Sequence, residues 1–272
     1  MKFTELDTPV MLIDRDILYA NCKRMQDYAN EQHVALRPHT KTHKAPYLAK
    51  IQREMGAKGI TVAKIGEAEV MAAHGLDDIF IANEPVGEIK LQRIRNLAEI
   101  IDVSFGVDCP EHIEAADRAF EGASKHAKVV VEIEVGENRS GILTDDQFMA
   151  VLDALKKAKN VDFLGIFSHE GHTYKADSVA DCCAKAQVAY AKTVRAAELI
   201  RSLGADIDTV SIGATPSVMN GSSFEGITEL RLGTYIFFDV GQSNAIHDFS
   251  RCAATVLASV ISKPPIENAM YR

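Results

Sequence analysis

The chain has 272 residues, of which 47% are hydrophobic and 25% are charged, so it can bury a core, and a disordered or collagen-like chain is excluded. Its 38 acidic residues outnumber its 30 basic ones, and the net charge of -8 repels nucleic-acid phosphates and anionic lipid. No apolar run is long enough to cross a bilayer and the first residues do not form a signal peptide, so we expect a cytoplasmic protein that binds neither nucleic acid nor membrane.

The two ends of the chain contain isolated strand patterns. Residues 8–14 (TPVMLID) are predicted to form a strand and residues 16–30 a helix, which together lead into the rest of the chain. Residues 251–262 (RCAATVLASVIS) are predicted to form a second strand near the other end. The pair predicts a small second β-domain, and because little sequence follows residue 262, we expect the chain to be cut short soon after entering it.

Between these ends, short β-branched runs alternate with helical stretches. A helix is expected after each run, and over residues 144–157 Thr144 and Gln147 have the spacing of a capping box. The runs start roughly 28 residues apart, which is the length of a βα unit. Those short and apolar enough to be strands covered on both faces are residues 34–37, 60–63, 79–82, 102–105, 129–135, 163–167, 209–212 and 229–232.

Eight such units predict an α/β protein with a (β/α)8 TIM barrel, and an open doubly wound sheet is the alternative. The expected organisation has three parts. Residues 1–30 form an N-terminal strand and helix, residues 31–248 form the barrel, and residues 249–272 begin the truncated C-terminal β-domain.

Residues with reactive side chains follow the strands, at the end where barrels carry their active sites. A lysine at this rim, surrounded by like charges and partly desolvated, has its pKa lowered toward a nucleophilic amine that forms Schiff bases. A basic surface patch is the other interpretation of the first loop. That loop, RPHTKTHK, contains Arg37, His39, Lys41, His43 and Lys44.

Later loops supply further candidates. VGENRSG contains Arg139, and FSHEGHTY contains His169, His172 and Tyr174, each of which could also be a satisfied structural residue. Barrels bind phosphate at the loops after their last two strands, and here those loops are small-residue turns with amides for an anion. A lysine on one side of the mouth and this cradle on the other predict a pyridoxal 5'-phosphate (PLP) site. The cradle residues are Gly213, Ala214, Thr215, Gly233 and Thr234.

The cysteines fit a reducing compartment. They are odd in number, have no metal-ligand spacing, and include an adjacent pair that is poorly placed for a disulfide. We therefore predict packing or surface thiols and no metal ligands. They are Cys22, Cys109, Cys182, Cys183 and Cys252.

Seven stretches resemble the D-threonine aldolase and D-serine dehydratase family of barrel-type, alanine racemase-like (fold type III) PLP enzymes. They occur in the family's order over nearly the whole chain. RPHTKTHK is the most specific, whereas the SH and RLG pieces are shared with alanine racemases. The stretches are DTPVMLIDRDILYANCKRMQ, LRPHTKTHK, GITVAKIGEAEVMAAHGLDDIFIANE, VEIEVGENRSGI, LGIFSHEGHTY, VSIGATPS and ELRLGTYIFFD.

The resemblance implies a PLP-dependent lyase that cleaves D-3-hydroxy amino acids to glycine and an aldehyde, or alternatively eliminates water from D-serine-like substrates. Lys41 would hold the cofactor covalently as an imine, Arg139 would reach its phenolic oxygen, and His169 would lie against its ring. Arg231 would face the pyridine nitrogen, and Tyr174 would line the substrate side. The residues that match the family's phosphate cradle are Gly213, Ala214, Thr215, Gly233 and Thr234.

The resemblance also implies a divalent metal and a homodimer. In the family the metal is bound near the end of a longer chain by a histidine followed by a cysteine or aspartate. We find no match for these ligands in this chain, so we expect little D-threonine cleavage by this chain alone and a dimer for the full-length form.

Two other functions remain open from the sequence. One is a PLP-binding homeostasis protein without catalysis, and the other is a metal-dependent TIM-barrel hydrolase. The side chains that the hydrolase would use are His39, His43, His169, His172 and Asp239.

Overall fold

The computed structural model describes residues 2–220, 223–246 and 249–263. Its strands are β1 (Val10–Ile13), β2 (Ala35–Leu36), β3 (Ile60–Val62), β4 (Asp78–Ile81), β5 (Asp102–Val107), β6 (Ala127–Ile133), β7 (Val161–Ser168), β8 (Thr209–Ile212), β9 (Glu229–Leu230) and β10 (Ala254–Leu257). Its helices are α1 (Arg15–Glu31), α2 (Pro46–Glu54), α3 (Ile65–Ala73), α4 (Glu88–Ala98), α5 (Pro110–Ala119), α6 (Asp145–Lys157), α7 (Val179–Ser202), α8 (Thr215–Asn220) and α9 (Val240–Ile246).

Strands β2 to β9 form one parallel eight-stranded sheet in the order β2-β9-β8-β7-β6-β5-β4-β3. Backbone hydrogen bonds also join the two end strands, since the Lys58 N–H donates to Leu36 O and the Thr61 N–H to Pro38 O, each at 2.8 Å. The sheet therefore closes into a ring. This confirms the predicted (β/α)8 barrel, with all eight strands in the expected places, and excludes the open sheet.

The helices pack their apolar sides against this ring. In α6 the predicted capping box is present: the Gln147 N–H donates to Thr144 Oγ1 at 3.2 Å, and the Thr144 N–H donates to Gln147 Oε1 at 3.1 Å. Phe148, Val151 and Leu152 are buried on the inner side of the helix. None of the helices in the described ranges combines the length and apolar character that a membrane span requires.

Both predicted end strands are present, and they pair with each other. β1 and β10 form an antiparallel two-stranded sheet, with Met11 opposite Val256. Both of these side chains are exposed, by 63% and 67%. The last part of the predicted β-domain, residues 264–272, lies outside the described residues.

Candidate active site

Lys41 lies at the mouth of the barrel, on a 3₁₀ turn (Thr40–Thr42) that follows β2. The turn is anchored below by Thr40, whose hydroxyl donates to the Thr61 carbonyl at 3.0 Å, and the Lys41 N–H donates to His39 Nδ1 at 3.3 Å. Partial desolvation, followed by the charges of Arg139 and Arg231, lowers the pKa of Lys41 below its ordinary value. This is the direction expected from the sequence, although the side chain remains accessible to solvent.

The other basic residues of the first loop form ion pairs or are buried. Arg37 is buried and pairs with Glu229 (Nε to Oε2, 2.8 Å) and with Asp78. Lys44 is exposed, and its Nζ lies 3.1 Å from Glu67 Oε1. Burial lowers the pKa of His43 to about 4. A basic surface patch is therefore the wrong interpretation of this loop, because its charges are mostly paired or buried.

Arg231 is buried beneath the mouth and held by a chain of hydrogen bonds. Its Nε donates to Ser211 Oγ at 2.8 Å, and that hydroxyl donates to Glu229 Oε1 at 2.8 Å. Its Nη2 donates to the Ser168 carbonyl, and the guanidinium lies 4.9 Å from the centroid of the Phe167 ring. Burial lowers the pKa of Arg231, and nearby carboxylates oppose the shift. The result is a cation fixed in orientation at the base of the site.

His169 and Arg139 are joined by a carboxylate that was not among the predicted site residues. Glu137 Oε2 lies 2.8 Å from His169 Nδ1, and its Oε1 lies 3.5 Å from Arg139 Nη1. His169 foremost, then Arg139 and Lys41, hold the pKa of Glu137 below its usual range. A Cβ at position 171 would overlap the Glu137 carboxylate, so Gly171 leaves the space that this carboxylate occupies. In the sequence, the glycine two residues after His169, in SHEGHTY, is the feature that indicates a close approach at this point.

Three hydroxyl groups meet on the loops after β7, β8 and β9. Thr234 Oγ1 lies 3.0 Å from Thr215 Oγ1 and 3.1 Å from the Tyr174 hydroxyl. Side-chain hydroxyls of two predicted cradle residues, Thr215 and Thr234, therefore meet here. The Gly213 N–H donates to Glu170 Oε2 at 3.0 Å, so the anion at this amide is a side chain of the protein itself.

The glycines of the cradle allow loops to touch one another. A Cβ at Gly233 would lie 2.6 Å from the His39 carbonyl oxygen and 2.8 Å from Thr42 Oγ1, and a Cβ at Gly213 would lie 2.8 Å from the Arg231 backbone. The Lys41 turn therefore packs directly on the loop after β9. The expectation that lysine and cradle lie on opposite sides of the mouth is wrong, because ring closure makes β2 the neighbour of β9.

Two further carboxyl groups near the mouth, one fully buried and one partly buried, were not among the predicted site residues. Glu170 is fully buried and accepts from Ser168 Oγ at 2.7 Å and Ser217 Oγ at 3.1 Å, besides the Gly213 amide. Glu84 shares a hydrogen bond with Glu132, and burial, with Glu132 second, raises the pKa of Glu84 to about 9. The Glu170 carboxylate meets Gly213 and Ser217 only because β7 and β8 are neighbours in the sheet, so no local motif indicates these two contacts.

The side chains that a metal-dependent hydrolase would use are not brought together as a metal site. Asp239 caps α9, where its Oδ1 accepts from the Gln242 N–H at 2.8 Å, and the His172 ring packs against Gly136. Within residues 2–220, 223–246 and 249–263, the group of three side chains close enough to share a metal ion contains none of the hydrolase residues. The hydrolase therefore has no structural support.

Comparisons of the sequence and of the structure with known proteins point to the same group of relatives. The family model for the alanine racemase N-terminal domain matches residues 13–240. The chain is 33% identical over 265 residues to a D-threonine aldolase from Arthrobacter sp, covering 95% of this chain and 69% of the relative. It is 33% identical over 258 residues to the D-threo-3-hydroxyaspartate dehydratase of Delftia sp. (strain HT23), covering 94% of this chain and 68% of that relative. The crystal structure of D-threonine aldolase from Filomicrobium marinum superposes with a TM-score of 0.86 at 30% identity, covering 93% of this chain and 70% of that one.

Proposed function

Because the chain belongs to the D-threonine aldolase and D-serine dehydratase family of barrel-type PLP enzymes, we propose that it is a PLP-dependent lyase that cleaves D-3-hydroxy amino acids to glycine and an aldehyde. The observation that carries the proposal is the environment of Lys41. Its amine has a lowered pKa, and its turn packs against the loop that carries Thr234 and the hydroxyl cluster. Relatives at about this similarity are named as aldolases and dehydratases.

The residues present fit PLP. The aldehyde and the phosphate arm of this cofactor are on adjacent ring carbons, so an amine and a phosphate site on neighbouring loops are what it requires. Thr215, Thr234 and Tyr174 offer three hydroxyls for the phosphate. Arg231 offers a fixed cation for the pyridine nitrogen, and Arg139, whose side chain is 53% exposed, offers one for the phenolic oxygen.

When bound, PLP supplies a carbonyl that condenses with amines and a ring that withdraws electrons from the substrate's α-carbon. Lys41 is the residue that would hold it, because its lowered pKa raises the fraction of neutral amine at neutral pH. Arg231, as a permanent cation, would keep the ring nitrogen without a proton. His169 is oriented by Glu137 through Nδ1, which leaves Nε2 to accept or return a proton.

Dehydration is the second candidate reaction. The Delftia dehydratase is as similar to this chain as the Arthrobacter aldolase, at 33% identity each. The two reactions differ in which proton is removed: loss of the hydroxyl proton leads to glycine and an aldehyde, and loss of the α-proton leads to a keto acid and ammonia. The products therefore separate them.

The test compares the wild type with Lys41→Ala and a matched control, Lys44→Ala, after incubation with PLP and dialysis. We expect a persistent near-visible absorption band in the wild type and in Lys44→Ala, and none in Lys41→Ala, because Lys44 is engaged with Glu67. Dialysis-resistant absorption in Lys41→Ala would refute the lysine assignment.

Activity is measured separately with D-threonine and D-serine, with and without an added divalent cation. Glycine and acetaldehyde from D-threonine support the proposal. Pyruvate and ammonia from D-serine without glycine formation would favour the dehydratase. Because we expect little D-threonine cleavage by this chain alone, the products are collected over a long incubation, and bound cofactor with no product above the rate without protein would favour a PLP-binding protein that is not an enzyme.

A further inference from the structure

Three side chains of different chemical type meet just beyond the end of β5. Asp108 and Cys109 connect this strand to α5, and His112 lies in the first turn of that helix. Their potential ligand atoms all lie within 4.8 Å of one another. Asp108 Oδ1 and His112 Nδ1 lie 3.1 Å apart. We predicted no metal-ligand spacing for the cysteines, and the site proposed below departs from that prediction, with Cys-x-x-His, preceded by Asp, spanning about one helical turn.

The group is held in place from two sides. Asp108 Oδ2 accepts from the Gly141 N–H at 3.1 Å, which fixes one carboxylate oxygen and turns the other toward His112. Pro110 occupies the first position of α5, where its fixed φ starts the helix immediately after Cys109. All three side chains are half-buried, so an ion can enter while few waters compete for it.

The donor set selects the kind of ion. One thiolate sulfur, one imidazole nitrogen and one carboxylate oxygen suit zinc, whereas magnesium and calcium prefer oxygen ligands alone. Zinc holds such donors about 3.4 Å apart at its tetrahedral edges, so the widest pair needs to close by an ångström or so, within reach of side-chain rotation. Three protein ligands leave the fourth position to water or another small ligand.

The negative charges of the three-residue group favour a divalent cation, although the group lies at the positively polarised N-terminus of α5. The N-terminus of α5 repels a cation, and desolvation together with the nearby Glu111 and Asp108 carboxylates raises the pKa of the Cys109 thiol, so an incoming metal ion has to displace the thiol proton. The thiolate and the Asp108 carboxylate together balance the two positive charges of zinc. The carboxylate of Glu111 also lies beside the thiol and adds negative potential.

We propose that Asp108, Cys109 and His112 form a binding site for zinc or a similar divalent transition metal ion at the rim of the barrel. Metal binding at these residues does not require PLP to be bound. It is connected to the Arg139 loop through Gly141, which belongs to that loop.

The test uses the 272-residue protein and Co²⁺ as a spectroscopic probe, followed by displacement with Zn²⁺. In difference spectra we expect a thiolate-to-cobalt charge-transfer band and strong tetrahedral visible bands that saturate near one equivalent. Cys109→Ser should lose the charge-transfer band and bind Zn²⁺ at least about 100-fold more weakly. The matched control Cys183→Ser changes a half-buried cysteine on α7 and should behave as the wild type.

A second measurement needs no variant and guards against misfolding of Cys109→Ser. In the wild type, Zn²⁺ should slow alkylation of Cys109 by iodoacetamide, measured by peptide mass spectrometry, and should leave Cys183 unchanged. Absence of a thiolate band in the wild type, persistence of the band in Cys109→Ser, or equal alkylation of Cys109 with and without Zn²⁺ would overturn the site.

Discussion

Mild acid is expected to destabilise the protein through His43, two residues from Lys41. The His43 ring packs edge-on against Phe237, with centroids 6.4 Å apart, and its Nδ1 accepts from the Ala45 N–H at 3.0 Å. Its Nε2 is buried, and the nearby Gln52 side chain offsets only part of the cost of burying a charged ring. Burial lowers the pKa of this ring from 6.5 to about 4. The folded protein therefore binds the proton less tightly than the unfolded chain does.

The difference in proton affinity between the folded and unfolded chains sets the direction and the magnitude of the change in stability with pH. The contribution of the neutral ring is fully present above the unfolded pKa of 6.5 and is lost as the pH falls toward the folded pKa of about 4. Between about pH 7.5 and about pH 5 the loss is on the order of 2 kcal/mol. That is a large share of the roughly 5–15 kcal/mol that a domain has.

The assay is urea unfolding at both pH values for the wild type and for His43→Gln, which cannot take up this proton. Carboxylates that titrate in the same range act equally in both proteins and cancel in the comparison. We expect the free energy of unfolding to fall by about 2 kcal/mol more in the wild type than in His43→Gln. His74→Gln, at an exposed helix end, should follow the wild type. Equal pH dependence in the wild type and His43→Gln would refute the reasoning.

Two further substitutions test the geometry around the mouth. Gly171→Ala places a methyl group on the Glu137 carboxylate and should reduce lyase activity about tenfold or more, and Glu137→Gln should have the same effect. The control is Gly66→Ala, whose Cβ meets only a side-chain atom at 3.7 Å and which should leave the activity unchanged. Full activity in Gly171→Ala would show that the carboxylate does not orient the histidine. Arg37→Leu leaves the buried Glu229 without its cation and should cost about 3–5 kcal/mol in denaturant unfolding. A loss below about 1 kcal/mol would show that the pair contributes no more than an exposed salt bridge.

The barrel could be predicted because its signals are local. Each strand is a short apolar run covered on both faces, so its position can be read without knowing its neighbours. Strand β8 agrees with the prediction at both ends, and β3 differs by one residue at one end. The capping box of α6 is equally local, since it needs only Thr144 and Gln147.

The arrangement of the mouth could not be predicted to the same extent because it depends on ring closure. The Lys41 turn touches Gly233 only since the first barrel strand lies beside the last one. Glu170 is separated from the Gly213 amide by 43 residues, and it occupies a position that sequence alone assigned to phosphate. A small-residue turn indicates that something approaches closely, but not whether a ligand or another loop does so.

The most direct test of the central claim is to reduce the PLP-treated protein with borohydride and locate the cofactor by peptide mass spectrometry. The account predicts one modified side chain, Lys41, with Lys44 in the same loop unmodified. Cofactor fixed to Lys44 or to another lysine instead, or no fixed cofactor at all, would contradict it.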